Sequence, residues 1–215
     1  MMLSHTSSLQ DNWDIMFPLY TLPEGGDSPV ELLHFVREYF SEGGEYYDDE
    51  LNFHKDPPAS KFDYCNMGYV VLGLIIEQIS GLPFSEYMKE EIFTPLEMHN
   101  SYWFLREIPH RNIARPHEMH PSTKKDPREP EVLNHYGYAD FPDGQLRTTV
   151  SDYAQVIKLI LNKGRVNGRV LIQESTVEEF LRIQYPEVAK HQAIAWNYNE
   201  FDSFIYYLLM PRLPS

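Results

Sequence analysis

The feature that most constrains this fold is one strongly apolar helix in the first half of the chain. Residues 67–79 carry apolar side chains at most positions, with Pro57-Pro58 ahead of them and Gly81 behind them. Prolines hold the incoming backbone extended, and glycine commonly follows the last residue of a helix. A helix that is apolar on nearly every side is buried rather than amphipathic. The sequence therefore predicts a central helix around which the other elements pack.

Shorter elements are predicted on both sides of this helix. Helices are indicated by capping pairs or an N-terminal proline at residues 29–40 (Ser28 with Glu31), 83–93 (Pro83), 150–161 (Thr149 with Asp152) and 176–183 (Ser175 with Glu178). Short strands are predicted at residues 101–104 and 193–198. Residues 106–134 are rich in proline, histidine and charge without a clear period. They are predicted to form a long surface loop that shapes a cleft.

Composition narrows the class of protein. A length of 215 residues suits one domain or part of one, and the net charge of −14 disfavours binding to nucleic acid or to anionic membranes. No apolar run approaches the ~20 residues of a membrane span. Cys65 is the single cysteine, so an internal disulfide is impossible. The localisation stays undetermined, because these residues show no export signal but a missing N-terminus could have carried one.

Three segments resemble the β-lactamase-related serine hydrolases, the family of class C β-lactamases, D-alanyl-D-alanine carboxypeptidases and related esterases. Residues 3–9 (Leu-Ser-His-Thr-Ser-Ser-Leu) are similar to a His-Thr-Ser-Gly stretch, with Ser8 in place of the glycine. Residues 64–73 (Tyr-Cys-Asn-Met-Gly-Tyr-Val-Val-Leu-Gly) resemble a Tyr-Ser-Asn helix start. Residues 142–152 (Pro-Asp-Gly-Gln-Leu-Arg-Thr-Thr-Val-Ser-Asp) resemble a Pro-x-Gly-Gly-Leu-x-Ser-Thr passage.

The resemblance implies an α+β fold, of which this chain carries mostly the helical region of the β-lactamase/transpeptidase-like fold, with the antiparallel sheet largely missing. It implies cleavage of an amide or ester through an acyl-serine intermediate, without a cofactor or metal. In the complete parent, the partner is a small-molecule or peptide acyl substrate. Residues 1–215 are accordingly expected to form one partial domain.

Two residues are carried over from the resemblance as site residues. Tyr64 is the candidate catalytic proton shuttle, a role that requires nearby cations to lower its pKa. Asn66 is the candidate substrate-binding residue, because its side-chain amide can donate to an acyl carbonyl. Both are expected to project into a common groove, with Gly144 and Thr148 as further cleft residues. Cys65, between them, is expected to be a buried and inert thiol.

The nucleophile of the family is not matched. The family's Ser-x-x-Lys turn lies upstream of the His-Thr-Ser stretch, which begins here at residue 3. Ser122-Thr123-Lys124-Lys125 fits the spacing but falls in the proline-rich loop, where a chance match is the better explanation. His135-Tyr136-Gly137 likewise precedes the helix that a His-x-Gly strand should follow. We therefore expect that the chain is truncated at both ends and inactive by itself. We also expect that the apolar face normally covered by the sheet is exposed to solvent.

Two other classes stay open. A non-catalytic interaction or scaffold protein would keep the helical region without the chemistry. A metal-dependent hydrolase would use the histidines of the loop, His110, His117, His120 and His135, although their spacing matches no familiar zinc motif.

Overall fold

The computed structural model of the protein describes residues 1–22, 24–109, 113–118, 130–201 and 204–208. Within these ranges the chain forms six α-helices: α1 (Trp13–Met16), α2 (Leu32–Phe40), α3 (Asn66–Ser80), α4 (Phe84–Met88), α5 (Val150–Leu161) and α6 (Glu174–Leu181). A π-helical turn, Lys89–Phe93, continues α4. Short 3-10 turns lie at Met2–Ser4, Phe17–Leu19, Leu105–Glu107 and Phe141–Asp143.

The strands of the described ranges form three separate two-stranded sheets, each of them antiparallel. They are β1 (His117–Glu118) with β2 (Glu131–Val132), β3 (Arg165–Val166) with β4 (Arg169–Val170), and β5 (Asn197–Phe201) with β6 (Phe204–Leu208). The fold is therefore α+β and mostly helical, with little sheet, which confirms the predicted fold class.

The core forms where α3 packs on α2, α4 and the Phe141–Asp143 turn. Phe35, Tyr39, Met67 and Val70 are fully buried there. Tyr39 also fixes the N-terminal segment, because its hydroxyl donates to Gln10 O at 2.8 Å and accepts from Asn12 N at 2.7 Å. A buried tyrosine keeps such partners for its hydroxyl, since an unpaired one would be costly.

The prediction that α3 is buried on nearly every side is wrong. Met67, Gly68, Val70 and Gly73 form its buried face, whereas Ile75 is 39% and Ile79 is 82% exposed. Among the described residues, Ile79 is therefore left mostly uncovered and Ile75 only partly covered. Val150 and Leu161, at the two ends of α5, are also exposed, at 89% and 75%. The chain thus presents aliphatic side chains to solvent, as expected for a helical region with little sheet.

Two capping predictions have different outcomes. At α5 the Thr149 hydroxyl accepts from Asp152 N at 3.2 Å, which confirms this helix start. The capping box at Ser28 is wrong, because α2 begins only at Leu32 with Glu31 as its N-cap. The Ser28 hydroxyl instead accepts from Val30 N at 3.2 Å in a local turn, a competing bond that serine side chains commonly make.

Some strand and loop boundaries also differ from the predictions. The predicted strand at 101–104 is reduced to a single bridge between Tyr102 and Arg147, since no further partner extends the ladder in the described chain. The strand predicted at 193–198 begins only at Asn197. The predicted 106–134 loop contains the short β1–β2 ladder. Ser122 to Lys125, His110 and His120 lie outside the described residues.

Candidate active site

The Tyr64–Asn66 segment enters α3 through an extended residue. Cys65 has φ −144° and ψ 119°, and Asn66 is the first residue of the helix. The first N–H groups of a helix have no partner within it. Asp11 provides that partner: its carboxylate accepts from Asn66 N and Met67 N, each at 3.0 Å. Asp11 therefore caps α3 from 55 residues away in sequence.

The same carboxylate also holds the two side chains at the helix start. Asn66 Nδ2 donates to Asp11 Oδ2 at 2.9 Å, and Cys65 Sγ lies 3.4 Å from Oδ1. Burial raises the pKa of Asp11, and the four hydrogen bonds oppose that rise. The side-chain amide of Asn66 is thus bonded to Asp11, and its Oδ1 makes no hydrogen bond to the described residues.

Tyr64 is half-buried against His5. The two ring centroids are 4.3 Å apart and the planes are tilted by 30°. The Tyr69 ring lies 5.3 Å from His5, and its hydroxyl donates to Leu3 O at 3.0 Å. His5 Nδ1 accepts from Cys65 N at 3.2 Å, which requires an unprotonated Nδ1. Consistent with this, burial lowers the pKa of His5 to about 4.

The electrostatics at Tyr64 favour the neutral phenol. Its pKa is raised to about 12, first by burial and then by the carboxyl groups of Asp143 and Asp11. None of the described lysines or arginines acts to lower it. A proton shuttle needs a pKa nearer the working pH. These residues alone therefore do not provide the cationic surroundings that the predicted role of Tyr64 requires.

The 142–152 segment joins the same region through Pro142. A Cβ added at Gly73 of α3 would lie 2.6 Å from Pro142 Cβ, so the absence of a side chain at Gly73 permits this contact. The next residue, Asp143, acts electrostatically on Tyr64. The three segments that carry the resemblance thus meet around the start and the buried face of α3.

Two acids of this segment, the buried Asp140 and the half-buried Asp143, form an interacting pair. Asp140 is fully buried, Tyr20 donates its hydroxyl to Asp140 Oδ2 at 3.3 Å, and Asp140 Oδ1 has no partner in the described part of the chain. Burial raises the pKa of Asp140 to about 6. Burial and the charge of Asp140 together raise the pKa of Asp143 well above its ordinary value. Each of the two carboxyls therefore takes up a proton more readily than an exposed aspartate does.

Gly144 and Thr148 line a cavity of about 540 Å³ beside this region. Thr148 Oγ1 lies 2.7 Å from Ser101 Oγ, which donates to Asp152 at 2.9 Å. Neither Tyr64 nor Asn66 lines this cavity. The common groove predicted for Tyr64 and Asn66 stays a prediction.

Sequence reasoning missed Asp11, Asp140 and Asp143. Asp143 stands in the Pro-Asp-Gly passage that had been singled out, so its place in the motif was a usable signal. Asp11 carries no local signal, because the N–H groups it caps lie far along the chain. Of the motif residues, Cys65 is buried, and burial raises the pKa of its thiol, as expected for an inert cysteine.

Comparison with known proteins gives the family. The Beta-lactamase family model matches residues 1–199. This chain belongs to the beta-lactamase family. It is 28% identical over 108 residues to penicillin-binding protein 4 of Amycolatopsis lactamdurans, a match covering 50% of the chain and 28% of that protein. It is 31% identical over 102 residues to penicillin-binding protein 4* of Bacillus subtilis, covering 44% and 23%.

Solved structures of similar fold include two hydrolase-related proteins. The penicillin-binding protein from Bacillus halodurans superposes with a TM-score of 0.64 at 20% identity, over 95% of this chain and 56% of that one. The D-amino acid amidase from Ochrobactrum anthropi SV3, complexed with D-phenylalanine, gives 0.65 at 18% identity, over 96% and 56%. The beta-lactamase family chain thus spans about half the length of these structures and about a quarter of the curated relatives.

The described residues contain neither a metal-binding cluster nor a single helix able to span a membrane. No group of three or more histidine, cysteine, aspartate or glutamate side chains there could hold a metal ion. No single helix of those residues has the length and apolar character to cross a membrane; α3 and Phe84–Phe93, bent by 82° at their break, meet the criteria only as a pair.

Proposed function

We propose that this chain carries the Tyr64–Asn66 side of the active site of a serine hydrolase that cleaves an amide or ester through an acyl-serine intermediate. The supporting observation is the meeting of three motif segments at the start of α3, where His5, Tyr64, Asn66 and Asp143 come together. Family membership supports the reaction class. In this proposal Tyr64 is the proton-transferring residue and Asn66 orients the acyl carbonyl.

Proton transfer by Tyr64 requires a nearby positive charge that the described residues do not supply. Tyr64 faces Asp11 and Asp143, and its pKa of about 12 keeps the phenol neutral at pH 7. A lysine brought close to Tyr64 would reverse this, because an adjacent positive charge favours the phenolate. Asn66 would also have to divide its two amide hydrogens between Asp11 and the substrate. We therefore propose that residues 1–215 by themselves do not form the acyl-enzyme.

Covalent labelling tests this proposal. The chain is incubated with a fluorescent penicillin and with p-nitrophenyl acetate, and its intact mass is measured. We expect no stable adduct. A stoichiometric adduct on a serine would contradict the proposed inactivity, and Ser122→Ala would then show whether the chance-like Ser-x-x-Lys string is the nucleophile.

The site itself is tested by joining to this chain the part of the Bacillus halodurans penicillin-binding protein that this chain does not cover, so that any nucleophile and lysine carried there can be supplied. Acylation of the folded chimera by the fluorescent penicillin is expected, with a loss of about 10²-fold or more in Tyr64→Phe. Tyr47→Phe is the matched control. A folded, acylating chimera that is indifferent to Tyr64→Phe would contradict the role of Tyr64.

A further inference from the structure

The cavity beside Gly144 has the size and walls of a small-molecule site. Its volume of about 540 Å³ falls in the usual range for ligand pockets. Aromatic and aliphatic side chains form much of the wall, namely Tyr102, Tyr136, Tyr138, Ile108 and Ile113. Two side chains that can carry positive charge, His135 and Arg147, line the same cavity.

Arg147 is a half-buried cation whose hydrogen-bond partners are all neutral. One terminal nitrogen donates to Trp103 O at 3.1 Å and to Gln145 O at 3.4 Å, and the other donates to Tyr136 O. Carbonyl groups satisfy these N–H groups but do not neutralise the charge. Two of the five guanidinium N–H groups make no bond to the described residues.

The acid that acts on Arg147 is already engaged elsewhere. Asp27 favours the charged guanidinium electrostatically but forms no ion pair with it within the described chain. Its carboxylate accepts from Leu105 N at 2.6 Å and Arg106 N at 3.1 Å, and it pairs with Arg106 Nη1 at 3.3 Å. The positive charge at the cavity wall thus lacks a carboxylate in direct contact.

Arg147 brings a positive charge to this wall in a strongly acidic chain. His135 is a neutral hydrogen-bonding side chain of the same wall near pH 7, because burial and then the charges of Arg147 and Arg115 lower its pKa. The chain as a whole has a net charge of −14. A half-buried guanidinium in a cavity wall, against that background, favours a ligand with a negative charge.

We propose that this cavity binds a small carboxylic acid with an aromatic body. The carboxylate accepts hydrogen bonds from Arg147 and His135, and the ring packs on the tyrosines and Ile108. A guanidinium is well suited to a carboxylate because its N–H groups match the two oxygens. Neither Tyr64 nor Asn66 lines the cavity, so this binding goes beyond the proposed hydrolysis and can be tested without it.

Calorimetric titration of the whole chain tests the proposal with three probes of similar shape. Phenylacetate carries the carboxylate, phenylacetamide is its neutral analogue, and phenethylamine is the cation. We expect phenylacetate to bind at least tenfold more tightly than phenylacetamide, and phenethylamine not to bind. Equal binding of phenylacetate and phenylacetamide, or no phenylacetate binding up to about 10 mM, would overturn the proposal.

Variants locate the site. His135→Gln and Arg115→Gln are each expected to weaken phenylacetate binding several-fold and to leave phenylacetamide unchanged. Arg147→Gln is expected to have a larger effect, but it also removes donors to three carbonyls and can impair folding, so its circular dichroism is checked first. Arg165→Gln, an exposed arginine of β3 outside the cavity, is the matched control. Unchanged phenylacetate binding in both His135→Gln and Arg115→Gln would refute the assignment to this cavity.

Discussion

Asp11 accepts hydrogen bonds from both the backbone and the side chain of Asn66, at 3.0 and 2.9 Å. One carboxylate thereby links the segment before α1 to the start of α3 and fixes the orientation of the candidate substrate-binding amide. A negative group at a helix N-terminus is also favoured by the helix dipole. The geometry of the Tyr64–Asn66 segment thus depends on a residue that lies outside its own motif.

Asp11→Ala should destabilise the protein. The change removes the cap from α3 and leaves Asn66 N and Met67 N without their acceptor, which should cost about 1–3 kcal/mol. Urea denaturation followed by circular dichroism measures the loss. Asp14→Ala, at an exposed position three residues on, is the control and should change stability by less than about 0.5 kcal/mol. Equal stabilities of the two variants would refute the capping role.

Gly73→Ala should be more harmful than Gly68→Ala, although both glycines lie in α3. A Cβ at position 73 would meet Pro142 Cβ at 2.6 Å, whereas one at position 68 would meet Met2 Cβ at 3.4 Å. Overpacking of this kind costs about 1–3 kcal/mol, and the better helix propensity of alanine offsets up to about 1 kcal/mol. Thermal denaturation of the two variants checks the order; the reverse order would mean that Pro142 can move away.

Asp140→Asn should reduce the loss of stability that accompanies a rise in pH from about 4 to above 6. The pKa of Asp140 is raised from 3.8 to about 6 in the folded protein. A raised folded pKa means that the contribution of this carboxyl is full below about pH 4 and is lost as pH rises through about 6. The asparagine variant lacks the titration at position 140 and should melt a few degrees higher than the parent at pH 8, with a smaller difference at pH 4.

The control for this titration is Asp49→Asn, at an exposed position. It should leave the pH profile of the melting temperature unchanged. A profile of Asp140→Asn that runs parallel to that of the parent between pH 4 and 8 would contradict the assignment.

Cys65 should resist modification in the folded protein. Its side chain is almost fully buried, and burial with the nearby Asp11 charge raises the thiol pKa, so little reactive thiolate is present. Ellman's reagent at pH 8 should react slowly with the native chain and rapidly, with one thiol per chain, after addition of guanidinium. Rapid reaction without denaturant would show that the Tyr64–Asn66 segment opens readily.

Local signals in the sequence were sufficient for several elements. The apolar run that predicted α3 and the Thr149–Asp152 pair that predicted the start of α5 both act within a few residues, so they can be interpreted without knowledge of the fold. The Tyr-x-Asn and Pro-Asp-Gly segments are also local signals, and they occur along the chain in the same order as the corresponding motifs of the family. The apolar run predicted burial on nearly every side of α3, so it did not predict the exposure of Ile75 and Ile79. That exposure depends on which other elements pack against the helix.

The features that escaped prediction are long-range. Asp11 and α3, Asp143 and Tyr64, and Arg147 and Tyr102 are each pairs that only the tertiary fold brings together. Ser28 failed as a cap because its hydroxyl had a nearer partner at Val30 N. The raised pKa of Tyr64 follows first from burial and then from acids on two separate segments, and no pattern within residues 64–66 could indicate it.

The His5 ring packs against the rings of Tyr64 and Tyr69. Its titration changes the stability of the fold with pH in the opposite direction to the titration of Asp140. The unfolded chain takes up a proton on this imidazole near pH 6.5, the folded chain only near 4. Acidification across that interval therefore favours unfolding through His5 while it favours folding through Asp140. The two effects on stability partly cancel. In a variant that lacks one of the two groups, the melting temperature would therefore change more steeply with pH, because the titration of the remaining group is no longer offset.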